Sequence, residues 1–373
     1  MTKKLSALHS TYVIDGAAQE FTPAQLLDAV TEGTPEIPQD CPDTIVDETL
    51  DPVVSACAYD PSETDRYLSG LSGVRKKLPL AFGDVYSRGR VAEALIDALW
   101  LQGSFRLGDL HLKASWKWNT QPVGSYAAFY HSVKATADYV DALGIGLSSY
   151  SYAPASECDL KFKALVSRED SGFDDVFVGQ PFRSENPVLG EGRICPCRLD
   201  PDPQSWIVYI PFETCDFRLG GSLLAQTLGF GGGVAPQVED ADYFIDCYEV
   251  VRELAEDGLL LSASTVRVGG LLKAVKDMTQ DGTGATIDIS GIMKAYQEND
   301  IVRILFSEVP GVIIQIRDID FDYLDAELLL QDVAFFPLGH PAPQAPEVHV
   351  KASAKSGIQK ILESLIQNAE GED

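Results

Sequence analysis

Hydrophobic and polar positions alternate along most of the chain with one of two periods. In residues 159–167, DLKFKALVS, most apolar side chains fall at every second position and lysines fall between them. That pattern is typical of a strand with one packed face. In residues 241–258 the apolar side chains recur every three or four positions and the run ends at Gly258, which predicts an amphipathic helix.

The same two patterns predict the other elements. We expect strands at 53–59, 77–85, 106–116, 145–152, 205–212, 286–290 and 311–317, and helices at 88–103, 125–144 and through 301–308. A further strand, GLLLSAST (258–265), leads through a Gly-Gly turn into a helix. Because the strands alternate in face more than they run purely apolar, we expect an α+β architecture in which each half is a sheet covered by helices on one side.

Composition along the chain predicts its division into domains. Residues 1–50 are rich in Pro, Asp and Thr and show little periodicity, so they are predicted to form an N-terminal arm or a poorly regular lead-in. Two domains, 51–182 and 205–338, are expected on either side of a linker at 183–204 that is crowded with Gly, Pro and charge. Residues 339–373 are predicted to be a tail with a short amphipathic helix around 358–365.

Charge limits the partners of this protein. The 373 residues include 29 Lys and Arg against 56 Asp and Glu, a formal net charge of −27, which repels nucleic acids and anionic membranes. We see no long apolar run and no secretory cleavage pattern, so we expect a cytoplasmic protein. The seven cysteines are odd in number and are expected to be reduced, and Cys195-Pro196-Cys197 lacks the partner ligands of a zinc site.

Two glycine pairs are candidates for anion binding. Gly269-Gly270 stands between a strand and a helix, and Gly220-Gly221 precedes Ser222, a candidate helix cap. Backbone N–H groups at such helix starts hold phosphates and other anions. Neither pair has the spacing of a P-loop or a dinucleotide fingerprint, and glycine also serves simply to turn a chain or to let a helix pack closely. Spacing alone leaves both interpretations open.

Four stretches carry a family resemblance: 87–100 (SRGRVAEALIDALW), 110–149, 218–226 (RLGGSLLAQ) and 305–316 (LFSEVPGVIIQI). They resemble successive motifs of phosphoribosylformylglycinamidine synthase, the ATP-dependent purine-pathway ligase that turns an amide into an amidine. The resemblance spans roughly residues 53–320 and is to the second of the two synthetase units of that enzyme. It implies the two-domain fold of the aminoimidazole-ribonucleotide synthetase superfamily: an N-terminal antiparallel sheet with helices, which forms half of a barrel, and a C-terminal α/β sandwich.

The resemblance also implies what chemistry is missing. The family's lysine and acid are absent from 146–151 (GLSSYS), and its acids before Gly-Gly are replaced by Ser264-Thr265-Val266-Arg267-Val268. Glu93 is retained where the family presents a glutamate to magnesium, and Asp97 stands at its asparagine position. One helical turn separates these two, so they share a face and are our candidate metal contacts, with a solvated helix face as the alternative.

We therefore expect a divergent synthase-like protein without catalytic residues or a glutaminase, in a non-catalytic or subunit role. No cofactor is expected, and magnesium with ATP or ADP is the alternative. An ATP-dependent ligase of purine biosynthesis, alone or as one subunit of a split synthase, is the second hypothesis. The resemblance further implies pairing of the N-terminal sheet, through an exposed edge and an apolar face, into a homodimer or a heteromer with a separately encoded synthase half.

Overall fold

The computed structural model describes residues 6–31, 43–52, 59–103, 105–168, 172–175, 192–230, 233–279 and 282–352. The predicted strand at 53–59 (except Tyr59), residues 183–191 of the predicted linker and the predicted helix at 358–365 lie outside the described residues. The division into two domains and its boundaries therefore stay predictions. Within the described residues, no helix is both long enough and apolar enough to cross a membrane.

The structure contains thirteen strands and ten α-helices in its described part. The strands are β1 Thr11–Ile14, β2 Ala17–Ala18, β3 Thr44–Asp47, β4 Leu110–Trp118, β5 Gly146–Pro154, β6 Asp159–Arg168, β7 Gly172–Asp175, β8 Trp206–Pro211, β9 Leu260–Val266, β10 Thr283–Asp288, β11 Gly311–Ile316, β12 Phe336–Pro343 and β13 Ala345–Lys351. The helices are α1 Pro23–Ala29, α2 Thr64–Gly70, α3 Gly83–Leu99, α4 Ser125–Ala142, α5 Leu223–Leu228, α6 Ala241–Glu256, α7 Gly270–Met278, α8 Ser290–Ala295, α9 Ile301–Phe306 and α10 Phe321–Leu330.

The strands form three sheets. A small sheet has the order β2-β1-β3, a four-stranded sheet the order β5-β4-β6-β7, and a six-stranded sheet the order β13-β10-β12-β8-β11-β9. The predicted mixture of strands and helices is confirmed. Most predicted elements match observed ones within a few residues, including α4, α6, β6, β8 and β11.

The six-stranded sheet differs from the expected one-sided arrangement because helices cover both of its faces. All six residues of β11 are buried. Val312 and Ile314 belong to the buried cluster that contains residues of α6, whereas Ile313 belongs to the cluster that contains residues of α7 and α9. A strand enclosed on both sides is mostly apolar, which explains the GVIIQI run, in which Gln315 is the one polar side chain and is hydrogen-bonded to Ser262 and Ser205.

Two expectations about the first hundred residues are wrong. Residues 77–85 form no strand: a 3-10 turn at Leu80–Phe82 leads directly into α3, whose first residue is Gly83. The N-terminal residues are not a poorly regular lead-in, because β1, β2, α1 and β3 lie among them. Asp47 at the end of β3 accepts hydrogen bonds from the backbone N–H groups of Gly124, Tyr126 and Ala127 at 2.9–3.0 Å, and so caps α4.

The four-stranded sheet has one covered face and one open face. On the covered face Leu112, Ala114 and Trp116 of β4 are buried and share a core with apolar residues of α3 and α4. The open face is polar, which contradicts the expected apolar face. Its exposed side chains include Lys113 and Lys117 of β4, Lys161 and Lys163 of β6, and Ser151 of β5.

A buried hydroxyl network joins the covered face to both helices. The Ser132 hydroxyl of α4 lies 2.7 Å from the Ser87 hydroxyl of α3 and accepts a hydrogen bond from the Trp116 indole N–H at 3.0 Å. Ser87 in turn donates to the backbone carbonyl of Gly83 at 2.6 Å. All three side chains are fully buried, so each hydrogen bond replaces one that water can no longer make.

We predict that Ser132→Ala destabilises the protein, because it leaves the Trp116 N–H buried without an acceptor. The expected loss in the free energy of unfolding is about 1–3 kcal/mol. Ser151→Ala on the open face is the matched control and should stay within about 0.5 kcal/mol of the wild type. Urea denaturation followed by tryptophan fluorescence measures both. Equal stability of the two variants would contradict the role given to the network.

Candidate functional site

Most residues that the sequence singled out lie around one cavity. It has a volume of about 60 Å³ and is lined by α3, the 220–222 turn, residues 266–268 and Glu308, among others. Glu93, Gly220, Gly221 and Ser222 contribute to its wall. Small-molecule sites usually enclose about 300–1,000 Å³. The cavity is therefore the size of a small anion or a few waters.

The carboxylate of Glu308 occupies the place between the two glycine turns. Its Oε1 accepts hydrogen bonds from the backbone N–H of Leu223 at 2.8 Å and from that of Gly269 at 2.9 Å. Leu223 is the first residue of α5 and Gly269 is the N-cap of α7. Two helix N-termini thus converge on a carboxylate of the protein itself, in the arrangement that binds external anions elsewhere.

Lys76 balances the charge of this carboxylate. Its ammonium forms a salt bridge with Glu308 Oε2, and the two side chains are only 12% and 9% exposed. The same ammonium lies 4.9 Å from the centre of the Tyr86 ring, within reach of a cation–π interaction. An ion pair that is this well enclosed is screened little by salt. The anion position is therefore filled and neutralised from within the chain.

Two further predicted donors in these turns are also engaged. The Gly220 N–H donates to the Val234 carbonyl at 2.9 Å, and the Gly270 N–H donates to the Arg267 carbonyl at 2.9 Å. Ser222 caps α5, as the sequence predicted, by accepting a hydrogen bond from Ala225 N–H at 3.1 Å. Binding of an external anion by these turns stays a prediction.

Close packing explains why glycine stands in the turns. A Cβ atom on Gly270 would lie 2.7 Å from the Cα of Phe306, and one on Gly220 would lie 2.4 Å from the backbone carbon of Val234. Real Cβ atoms do not come so close to a backbone. Gly269 and Gly270 also have φ values of +98° and +75°, a region that favours glycine. The Gly-Gly pair lets α7 begin against the end of α9.

The two candidate metal contacts are paired with arginines. Arg267 Nη2 lies 3.0 Å from Asp97 Oδ1, and its Nη1 lies 3.8 Å from Glu93 Oε1. Arg90, one turn before on α3, forms a second salt bridge with Glu93. Guanidinium groups therefore take the place that a cation would have beside these carboxylates, and the donor set does not fit magnesium as it stands.

The surroundings of Glu93 and Asp97 differ in their polarity. Burial raises the pKa of the Glu93 carboxyl, and the negative charge of Asp97 adds to that rise, while Arg90 and Arg267 oppose it. Asp97 accepts a 2.6 Å hydrogen bond from the Thr265 hydroxyl. That hydroxyl itself accepts a 2.9 Å hydrogen bond from the indole N–H of Trp100, so strand β9 and helix α3 are joined at this point.

Sequence reasoning found the turns and the carboxylates but missed three charged groups beside them. Arg90, Lys76 and Glu308 were not candidates, and together they neutralise the site. Glu308 lies inside the 305–316 stretch that carries the family resemblance, so that stretch was the available signal. Lys76 stands in a loop without periodicity, and only the fold shows that it is enclosed.

Comparison with known proteins finds a similarity to phosphoribosylformylglycinamidine synthase. The chain is 22% identical to the phosphoribosylformylglycinamidine synthase of Homo sapiens over 283 aligned residues. The alignment covers 76% of this chain and 20% of the human protein. The chain thus spans about a fifth of the length of that relative. No family model matches the sequence.

Solved structures give the same picture of the fold. The structure of Thermotoga maritima PurL complexed with FGAR matches with a TM-score of 0.50 and 11% identity, over 78% of this chain and 48% of that one. Thermotoga maritima PurL complexed with ATP matches with a TM-score of 0.42 and 14% identity, over 79% of this chain and 40% of that one. At these identities the first likeness concerns the fold alone, and the second is too weak to support any argument.

We predict that Gly270→Ala is much more destabilising than Gly144→Ala. Both glycines have a positive φ, but a Cβ on Gly144 has no heavy atom within 4 Å. The backbone conformation alone costs about 1–2 kcal/mol, so Gly144→Ala reports that cost, and the contact with Phe306 should add at least about 2 kcal/mol for Gly270→Ala. Thermal and urea unfolding measure the difference. Losses of the same size would show that the close approach of α7 and α9 relaxes freely.

A pH dependence follows from the buried Glu93. Because its folded-state pKa is raised, the folded protein holds a proton on this carboxyl at a higher pH than the unfolded chain does. The free energy of unfolding of the wild type, relative to that of Glu93→Gln, should therefore rise as the pH is lowered from 7 towards 4.5. Glu157→Gln, at a side chain that is 69% exposed, is the control. A difference that shrinks or stays constant on acidification would contradict the burial argument.

Proposed function

We propose that this chain, a relative of phosphoribosylformylglycinamidine synthase with the aminoimidazole-ribonucleotide synthetase-like fold, is a non-catalytic unit of that fold and acts as a subunit of a larger assembly. The sequence resembles an ATP-dependent ligase, which makes ATP the ligand to consider. The observation that carries the proposal is the pairing of Arg267 with both candidate metal carboxylates.

Charge supports this proposal. A triphosphate brings several negative charges, which phosphoryl-transfer enzymes neutralise with magnesium and a lysine. Here Asp97 and Glu93 already face guanidinium groups, and Lys76 already faces Glu308. Binding magnesium or a phosphate at this position requires one of these internal pairs to be broken. The Lys76–Glu308 pair, which is 12% and 9% exposed, gives up its partner at a large cost. The Arg267–Asp97 pair is 46% and 40% exposed and is easier to break.

The cavity supports the same conclusion. Its volume of about 60 Å³ is too small for a nucleotide without movement of the surrounding turns. The hydrogen bonds of Glu308 to Leu223 and Gly269 hold two of those turns together. A unit whose two glycine turns are held together by its own carboxylate is suited to a structural role beside other synthase components.

Titration of the purified chain with ATP and magnesium tests the proposal. We expect no saturable heat signal up to about 1 mM nucleotide, a concentration that detects affinities down to about −4 kcal/mol, and no release of ADP. Thermotoga maritima PurL is the positive control for the assay. Magnesium-dependent saturation, or ADP release above background, would contradict the proposal and favour an ATP-dependent ligase.

A variant of Arg267 tests the observation on which the proposal rests. Arg267→Gln frees Glu93 and Asp97 from the guanidinium, so we expect Mn²⁺, measured by electron paramagnetic resonance as a probe for magnesium, to bind at least about tenfold more tightly than in the wild type. Arg66→Gln, at an exposed side chain, is the matched control and should not change Mn²⁺ binding. Unchanged affinity in Arg267→Gln would show that the arginine is not what keeps a cation out.

A further inference from the structure

Helix α10 is apolar on two faces, and within the described residues only one of them is covered. Leu324 and Leu328 are fully buried and belong to the cluster that contains residues of α6. On the other face Tyr323 and Leu330 are 46% and 77% exposed. Of the nine exposed large apolar side chains in the described part of the chain, four lie between residues 319 and 330. A helix with apolar side chains all round is normally buried all round.

The open side of this helix forms one patch. Tyr323, Ala326 and Leu330 are exposed and recur every three or four residues, so they share a helical face. Ile319, in the 3-10 turn Asp318–Asp320 that precedes α10, and Leu329 lie beside them and are also exposed. We name these five residues, Ile319, Tyr323, Ala326, Leu329 and Leu330, the α10 patch. Exposed apolar patches with a polar rim mark surfaces that another segment or molecule covers.

Acidic side chains surround the α10 patch. Residues 318–332 contain six acidic residues and no basic one. The negative charge of Glu327, followed by those of Asp257 and Glu253 at the end of α6, raises the pKa of the Tyr323 phenol, so acids of both helices lie close to the patch. A rim of this kind attracts a basic surface and repels an acidic one.

Two arginines in the same region leave this negative charge in place. Arg252 of α6 is only 6% exposed and forms salt bridges with three glutamates of its own helix. Arg317 pairs with Asp320. A second copy placed patch to patch would therefore bring acids against acids, and nucleic acids and anionic membranes are repelled in the same way.

A basic and apolar segment of the same chain meets these requirements. Residues 351–362, KASAKSGIQKIL, contain three lysines and no acid, and they overlap the amphipathic helix that the sequence predicts at 358–365. The apolar stripe of that helix consists of Ile358, Ile361, Leu362 and Leu365. The stripe is about 10 Å long and the α10 patch about 15 Å, so the stripe fits on the patch.

The sheet topology brings the two segments within reach of each other. Lys351 at the end of β13 pairs with Asp288 at the end of β10, and β10 is antiparallel to β12. Lys351 and Phe336, the first residue of β12, therefore lie at the same end of the sheet, about 10 Å apart. Helix α10 ends at Leu330, shortly before Phe336. The chain from Lys351 to Ile358 spans up to about 23 Å, which is enough to reach the α10 patch.

We propose that residues 358–365 dock their apolar stripe on the α10 patch of the same chain. Docking removes large apolar side chains from water, and the lysines supply the charge that the acidic rim lacks. Residues of α8 cover the opposite face of the sheet at this end, so the open surface is the one on α10. A segment of the same chain also binds at a high effective concentration. The proposal is independent of the proposed function, since it involves neither ATP nor a second chain.

Hydroxyl-radical footprinting of the full chain, detected by mass spectrometry, tests the inference. Labelling of a side chain follows its exposed fraction, and Tyr323, Leu329 and Leu330 are reactive reporters in the patch. The double variant Ile361→Asp/Leu365→Asp places two charges in the stripe. We expect these three reporters to be labelled at least about threefold faster in the variant than in the wild type. The protein is kept at about 2 μM, so that weak self-association does not contribute.

Matched controls distinguish the stripe from the added charge. Ser364→Asp/Gln367→Asp adds the same charge to the same segment but away from the stripe, and should keep the wild-type labelling. Val123, 80% exposed and outside the patch, is the internal reference and should be labelled equally in all variants. Circular dichroism checks that each variant is folded.

A reciprocal variant changes the patch instead of the segment. In Leu330→Asp the backbone amides of residues 358–365 should exchange hydrogen for deuterium at least about tenfold faster than in the wild type, because the docked helix is released. Val123→Asp, a charge placed on an exposed side chain elsewhere, should leave their exchange unchanged. This measurement does not depend on the folding of the tail variants.

Three results would overturn the inference. Equal labelling of the patch in the wild type and in Ile361→Asp/Leu365→Asp would show that the segment does not cover it. An equal rise in Ser364→Asp/Gln367→Asp would show that the stripe is not the contact. Protection of the patch that disappears on dilution from about 20 to about 2 μM, together with a dimer in sedimentation velocity, would assign the patch to a second copy.

Discussion

Helix α3 lies between the four-stranded sheet and the rest of the fold, and the site depends on that position. Its apolar residues, among them Val91, Leu95 and Leu99, belong to the same buried cluster as residues of α6 and β11. Because the apolar face of α3 packs into this cluster, Glu93 and Asp97 lie at the edge of the cluster, towards the end of β9. There the next charged residue is Arg267, and the carboxylates pair with it.

Charge compensation has the same form at both halves of the site. Lys76 neutralises Glu308 where an anion was expected, and Arg267 neutralises Asp97 where a cation was expected. The Lys76–Glu308 pair neutralises two charges that the fold would otherwise leave buried, which is costly. The Arg267–Asp97 pair is more exposed and contributes less. The site is therefore stable when it is empty, whereas a site prepared for magnesium and triphosphate keeps like charges close together until its ligands arrive.

Periodicity predicted the elements whose burial is regular and failed where burial depends on contacts from elsewhere. Helix α4 and strand β6 bury one face each, so their patterns were clear. Residues 77–85 alternate like a strand, yet Phe82 and the start of α3 are buried by other segments, and tertiary packing overrides the local pattern. The sequence also placed lysines between the apolar residues of 159–167, but only the register with β4 brings Lys163 opposite Lys113.

Several residues in the stretches that resemble the synthase support packing in this chain. Glu308 holds the starts of α5 and α7 together and Gly270 admits the backbone of α9, so both support contacts between elements, while Ser222 caps α5 locally. Such contacts are needed whether or not a ligand binds. Residues that serve only a metal or a phosphate have no second role, and a chain can lose them without unfolding. A fold of this kind can therefore keep its glycine turns whether or not acidic residues stand beside them.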